Sequence, residues 1–339
     1  MLLRVAAAVA ALVIVLPLTG CSRAHAQVPV ALALLPLADG SGDRTFEDQA
    51  LAGLERCRRT TALAPHALAA VPPRDYEQQL GLLATENVDT VVALGYGIAR
   101  DVDATARRFA RTHFVLVDGM VEQPNVESVT FAAEQSGYLA GALAALVSRS
   151  GIVAFLGGAD VSEIRPTEVG FLAGARAVRP GVTTVVRYVG SFDDRAAGAR
   201  LAEQLYGARA DVVYAAAGRS GLGAIDAAKA RHAAYVIGSD ADQDALAPGI
   251  VLASALKHID VGVLRVCQET ASHKPVSGRL VLGLADGAVG LSDFRYTKAV
   301  IGADRIARLE RLRAAIAAGR LVPPATRTAL ARFRAPAIP

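Results

Sequence analysis

Carboxylates, hydroxyls, glycines and a lysine recur in this chain at the ends of short apolar runs. Val212 to Ala217 gives way to Gly218-Arg219-Ser220-Gly221-Leu222-Gly223, and Val236-Ile237-Gly238 gives way to Ser239-Asp240-Ala241-Asp242-Gln243. Ser254-Ala255-Leu256 ends at Lys257, and Phe114 to Val117 ends at Asp118. Thr90 to Leu94 runs into Gly95-Tyr96-Gly97, and Val185 to Val189 into Gly190-Ser191-Phe192-Asp193-Asp194. Such a set suits a small polyhydroxylated molecule: carboxylates accept from vicinal hydroxyls, and glycines let backbone amides approach closely. It suits turnover poorly, because none of the stretches just named contains a histidine to act as general base.

Other chemistries fail on spacing. Gly95-Tyr96-Gly97-Ile98-Ala99-Arg100 and Gly221-Leu222-Gly223-Ala224-Ile225-Asp226 open like dinucleotide fingerprints and lack the third glycine. Gly218-Arg219-Ser220-Gly221 does not flank its serine as a nucleophile elbow does, and no glycine-rich phosphate loop with Lys-Ser/Thr is present. The histidines are dispersed, and the cysteines (Cys21, Cys57, Cys267) form no Cys-x-x-Cys, so neither a metal nor a cofactor is expected. An odd, sparse cysteine count argues against a disulfide framework. Cys57 and Cys267 fall in apolar helical patterns and read as small buried hydrophobes.

Several of these residues have a structural alternative. Asp193 and Asp194 either cap the helix that begins at Arg195 or face a ligand, and Asp43 stands in the same position before the first helix. Lys257 is either a cleft cation or a solvated surface lysine. Phe192 and Tyr214 are either cleft or core aromatics.

The elements that carry these loops alternate strand, loop and helix with short links, which indicates doubly wound parallel sheets. A first series runs through a strand at Val30 to Leu37, helices at Thr45 to Arg58 and Tyr76 to Glu86, and strands at Thr90 to Leu94 and His113 to Val117. A second series opens at Gly151, and ligands of open α/β sheets bind beyond the carboxyl ends of such strands. With 339 residues, 53% of them hydrophobic, two lobes are expected. The boundaries are residues 30–145 plus about 254–300 for the first lobe, where the strand at Ile250 to Ser254 returns, and 146–253 for the second. Residues 301–339 make an amphipathic helix and an irregular tail after Pro323 and Pro324. Two such lobes facing a cleft are the arrangement of a periplasmic-type binding protein, which closes by hinge motion, and a two-domain enzyme shares that coarse pattern. The net charge of +4 is scattered, with no basic block and no interleaved aromatics, so nucleic acid is not an expected partner.

The amino terminus is an address. Arg4, the apolar run from Val5 to Leu18 and the sequence Leu18-Thr19-Gly20-Cys21 have signal-peptide proportions and resemble the lipobox of bacterial lipoproteins. That resemblance implies cleavage before Cys21, lipid on its thiol and new amino group, and a tether over residues 21–29. The expected location is the cell envelope, lipid-anchored on the outer side of a membrane.

The motifs in order resemble one family, the basic membrane proteins or purine nucleoside receptor A-like lipoproteins, which are substrate-binding components of ABC transporters, and the resemblance implies the type I periplasmic-binding-protein fold. The likeness runs from about Val30 to about Leu291. It rests on Asp43-Arg44-Thr45-Phe46, Phe114 to Asp118, Asn125-Val126-x-Ser128-x-x-Phe131 and Gly170-Phe171-x-Ala173-Gly174-Ala175. It continues through Gly190-Ser191-Phe192-x-Asp194, Ala217-Gly218-x-Ser220-Gly221, Ile237-Gly238-x-Asp240 and Ser254-x-x-Lys257. The resemblance implies a nucleoside between the lobes, its ribose held by Asp118, Asp240 and Lys257 with amides near Gly218 to Gly221. It implies delivery of that ligand to a permease and its ATPase, and a monomer is expected.

The family's second-lobe aromatic falls at Tyr214 or Phe192. Its Phe-Asn-Asp/Gln stretch reads Phe46-Glu47-Asp48 here, its first-lobe stacking ring falls near Gly40-Ser41, leaving Tyr96 or Phe46 to substitute, and Arg219 replaces a small residue. A ligand-sensing lipoprotein, a binder of another small polar molecule, and a hydrolase working through cleft carboxylates are the competing expectations.

Overall fold

The computed structural model describes residues 32–35, 46–86, 88–274 and 276–336. The signal segment, Cys21 and the Gly40 to Asp43 loop lie outside the described residues, as does the side chain of Phe46. In chain order the first elements are β1 (Leu32–Leu35), α1 (Phe46–Thr60), β2 (His66–Ala67), α2 (Tyr76–Thr85), β3 (Thr90–Leu94), α3 (Ala99–Arg108), β4 (His113–Val117) and β5 (Val126–Phe131). Then come α4 (Ala133–Val147), β6 (Ile152–Gly157), α5 (Arg165–Val178), β7 (Thr183–Tyr188), α6 (Arg195–Gly207), β8 (Val212–Ala216), α7 (Arg219–Lys229), β9 (Tyr235–Asp240) and β10 (Val251–Lys257). The chain closes with α8 (Ile259–Ala271), β11 (Gly278–Leu282), β12 (Val289–Leu291), α9 (Lys298–Ile301), α10 (Ala303–Ala317) and α11 (Arg327–Arg332).

Two six-stranded sheets result, ordered β11-β5-β4-β3-β1-β2 and β12-β10-β9-β8-β6-β7. Every pairing in the first is parallel, and in the second only β12 runs antiparallel, against β10. Strands such as β3 and β8 are buried along their whole length because helices cover both faces, which is why they read as unbroken apolar runs. Register brings the strand ends level. Leu94 pairs with Val117, which sets Gly95 beside Asp118, and Leu256 pairs with Asp240, which sets Lys257 at the same rim.

The chain passes between the lobes at Phe131 to Ala133, at Lys257 to Ile259, and between Leu282 and Val289. Two expectations about the lobes are corrected. The strand expected to return to the first lobe stays in the second sheet as β10, parallel to β9, with Val251 to Ala255 buried. Helix α4, expected at the end of the first lobe, packs backbone to backbone on α5. A Cβ at Gly141 would sit 2.0 Å from the Phe171 carbonyl oxygen, and one at Gly174 would sit 1.9 Å from that of Tyr138. Only glycine permits that approach.

The cysteine expectation is also corrected. Cys57 on α1 and Cys267 on α8 are bonded as a disulfide across 210 residues, with Cα atoms 5.9 Å apart. Both are fully buried, so burial was read correctly and pairing was not. The tail after Pro324 is not wholly irregular. Thr326 caps α11 by accepting from the Ala329 amide at 3.1 Å, and Arg327 pairs with Glu168 of α5 at 2.7 Å.

Candidate functional site

Asp118 and Asp240 are the structural key to the cleft. Each is a non-glycine residue in the left-handed region, with φ of 62° and 65°, at the carboxyl end of a strand in a different lobe. Aspartate tolerates that conformation better than most residues, and such strain gathers at functional positions. Lys257 stands between them. Its Nζ lies 3.0 and 3.2 Å from the two Asp118 carboxylate oxygens and 3.7 Å from Asp240 Oδ1. Burial works against the ammonium, and the charges of Asp118 and Asp240 outweigh it, so the lysine pKa rises and the group stays protonated. Asp240 also accepts from Ser239 Oγ at 3.2 Å. A cation of the second lobe is thus bonded to a carboxylate of the first.

Above this cradle lies a cavity of about 300 Å³ lined from both lobes. Tyr96, 39% exposed, follows β3 where Gly95 turns the chain at φ 80°. Phe192, in the loop after β7, meets it edge-on with centroids 6.4 Å apart and planes at 61°. The Phe192 ring lies where a Cβ on Gly158 would be, 2.3 Å away, so the Gly157-Gly158 pair makes its seat. Burial, then the charges of Glu163 and Asp118, raise the Tyr96 pKa, keeping its phenol a donor.

Glu47 lines the same cavity from the first turn of α1 and is 7% exposed. Gly218, at φ 55°, opens α7 at the cavity wall, and Arg219 lines it while pairing through Nε with Asp193 at 2.8 Å.

Other expected residues are placed differently. Asp48 is half-buried beside Glu47 and is not part of the cavity wall. Ser220 is fully buried, donating to the Ser191 carbonyl at 2.9 Å and accepting from the Asp194 amide at 2.8 Å. It fastens the Phe192 loop to α7 and does not face the cavity. Gly221 packs toward the Ala215 carbonyl, where a Cβ would sit 3.2 Å away.

The two alternatives for the adjacent aspartates divide between them. Asp194 caps α6 by accepting from the Ala197 amide at 2.8 Å, and Asp193 stands at the cavity rim. Tyr214 is 2% exposed and packs among Phe155 and Phe171, reaching the cavity only as its floor.

Sequence reasoning missed Ser136, Thr167, Ile164 and Leu222 in the lining, since nothing in their spacing marks them. Gln243 also lines the cavity, and its side-chain oxygen accepts from the Ser239 amide at 3.3 Å. Its place just past Asp240 was the available signal. Among the described residues, no group of three or more His, Cys, Asp or Glu is arranged to hold a metal ion, and no helix is long and apolar enough to cross a membrane.

Residues 33–320 match the family model of the PnrA-like ABC transporter substrate-binding proteins. The chain belongs to that family. It is therefore an ABC transporter substrate-binding protein, a class of solute binders whose partners are a permease and its ATPase. It is 29% identical over 317 residues to a Lactococcus lactis protein named an ABC transporter nucleoside-binding protein, covering 85% of this chain and 90% of that one. It is 29% identical over 266 residues to basic membrane protein A of Borreliella burgdorferi, covering 75% and 77%. An Aeropyrum pernix solute-binding protein of an ABC transporter shares the fold with a TM-score of 0.75 at 24% identity, covering 90% of this chain and 96% of its own. These likenesses agree with the two parallel-sheet lobes of a type I periplasmic binding protein.

Proposed function

We propose that this protein binds a nucleoside, of the purine class, in the interlobe cleft and delivers it to the permease, held at the membrane by lipid on Cys21. The observation that carries the ligand assignment is the cradle of Lys257, Asp118 and Asp240 beside two opposed aromatic rings. A vicinal diol offers two donors and two acceptors, which two carboxylates and one ammonium complement. A flat base is the part that the rings of Tyr96 and Phe192 accept. At 6.4 Å and tilted, they now touch each other. A base stacked on both faces needs about 3.5 Å on each side, so one ring turns parallel or the lobes part slightly on binding. The name of the Lactococcus relative supports the same ligand class.

Glu47 sets the base preference in this reading. An ionised carboxylate only accepts, so it favours a base edge with adjacent donors, as in guanine, over adenine. Mass spectrometry of small molecules released by denaturing the purified protein, followed by calorimetric titration with guanosine and adenosine, tests both levels. A nucleoside near stoichiometry is expected, with guanosine the tighter and the order reversed or lost in Glu47→Asn. An unrelated molecule in the cleft would overturn the ligand class. Adenosine binding tighter than guanosine, unchanged by Glu47→Asn, would overturn the base assignment alone.

A further inference from the structure

Helix α1 is fastened to α8 at successive turns. Gln49 Oε1 accepts from the Ile259 amide at 3.2 Å, and a Cβ on Gly53 would stand 2.7 Å from the Asp260 carbonyl oxygen. Arg56 pairs with Asp260 at 2.5 Å, and Cys57 is bonded to Cys267. Helix α1 starts with Glu47 on the cavity, and α8 starts two residues after Lys257. The two helices therefore form one strut whose ends both reach the cleft.

Gln49 also leaves its own lobe. Its Nε2 lies 3.4 Å from the backbone carbonyl oxygen of Asp240, the strand-end residue of the second lobe. One amide side chain thus touches the first turn of α8 and half of the Lys257 cradle. We propose that Gln49 is a positioning residue for the cleft, holding Asp240 and Lys257 at a set distance from Glu47 as the lobes close.

The chemistry requires an amide. The Ile259 amide is one of the first-turn donors that lack a partner within α8, and His258 provides no side-chain cap there, so an acceptor must come from outside. The Asp240 carbonyl oxygen can only accept, so its partner there must donate. Glutamine carries one of each on a single rigid group. The donating contact is the longer of the two, at the far end of hydrogen-bonding range, so it is the one with room to shorten on closure. Neither contact is visible as a motif, because the partners lie 191 and 210 residues away.

The affinity part of the test rests on the nucleoside reading, and the exchange part does not. Wild type, Gln49→Glu and Gln49→Leu are compared by calorimetry and stopped-flow with guanosine and adenosine, and by hydrogen exchange at Ile259 and across residues 240–243. Gln49→Glu keeps an acceptor for the Ile259 amide and loses the donor to Asp240. It is expected to leave Ile259 protected yet weaken binding about 3- to 10-fold, the worth of one hydrogen bond, mainly through faster release. Gln49→Leu is expected to lose protection at both places and to bind more weakly still. Wild-type affinity and release rate in both variants would overturn the proposal. If wild type binds neither nucleoside, the ligand reading falls by itself. Exchange then decides the strut: faster exchange at Ile259 and at residues 240–243 in Gln49→Leu supports it, and unchanged exchange overturns it.

Discussion

Far from the cleft, at the opposite end of the first sheet, three titratable side chains meet without satisfying one another. Glu127, the second residue of β5, is 1% exposed, and neither of its carboxylate oxygens has a partner among the described residues. Glu269 Oε2 on α8 and His113 Nδ1 on β4 are likewise buried and unpaired. Arg265 holds the other Glu269 oxygen at 2.5 Å, and His113 Nε2 meets the Val276 carbonyl at 2.7 Å. Burial lowers the His113 pKa, so this ring brings no compensating charge. Burial first, then the neighbouring charge of Glu269, push Glu127 from 4.5 up to about 8. A proton on Glu127 gives it a donor within reach of Glu269.

The sign follows from linkage. The folded chain holds this proton between pH 4.5 and about 8 while the unfolded chain has released it, so stability is full below the lower value and falls as pH rises through that window. The span sets an upper limit of about 5 kcal/mol, shared with Glu269, which is at most about 10 °C at roughly 2 °C per kcal/mol for a chain of this size. Glu127→Gln imitates the protonated acid and cannot ionise. Thermal melts followed by circular dichroism from pH 5 to 9 are expected to coincide within about 2 °C at pH 5. At pH 9 the variant should melt roughly 5–10 °C higher than wild type. Parallel curves across the whole range would refute the reasoning, since the buried carboxyl would then be neutralised some other way.

Three further outcomes are expected. Gly174→Ala drives a methyl into the Tyr138 carbonyl 1.9 Å away and should cost about 3 kcal/mol or more in a urea melt, whereas Gly181→Ala, with open space around it, should shift stability by less than about 0.5 kcal/mol. Lys257→Met leaves Asp118 and Asp240 facing each other without their cation, and nucleoside titration should show affinity reduced at least about 100-fold, a loss of 3–5 kcal/mol being usual for such pairs. Reducing the Cys57–Cys267 bond, checked by melting with and without dithiothreitol, should remove about 5 kcal/mol for a loop this long, and the Cys57→Ala, Cys267→Ala double variant should lose its sensitivity to the reductant.

What the sequence disclosed, and what it hid, follows from local against non-local physics. That Asp118, Asp240, Lys257, Tyr96 and Phe192 follow strand ends was legible because strands buried on both faces read as apolar runs, whereas the choice between cleft and core or surface for Lys257 and Phe192 was not. The sheet to which β10 belongs was not legible, since an apolar run carries no mark of its neighbours. Ser220 was counted with the hydroxyls that the strand-end loops offer a ligand, whereas its hydroxyl is consumed inside by Ser191 and Asp194. The disulfide was hidden because it depends on how α1 lies against α8, and the close approach at Gly53 that allows it becomes visible only when both helices are in place.

The pairing of Cys57 with Cys267 also bears on the order in which the molecule is assembled. Most of the second lobe is one unbroken stretch, α4 through β10, and that stretch lies between the two cysteines, with only the edge strand β12 of its sheet coming later. The first lobe is made in two instalments, since α8 and β11 follow that whole stretch. During synthesis the thiol of Cys57 therefore appears long before its partner and must survive as a free thiol while an entire lobe is produced. The second lobe has all but an edge strand of its sheet before the first can close. A chain that stopped between residues 257 and 267 would carry the α4-to-β10 stretch of the second lobe and a first lobe without its seal.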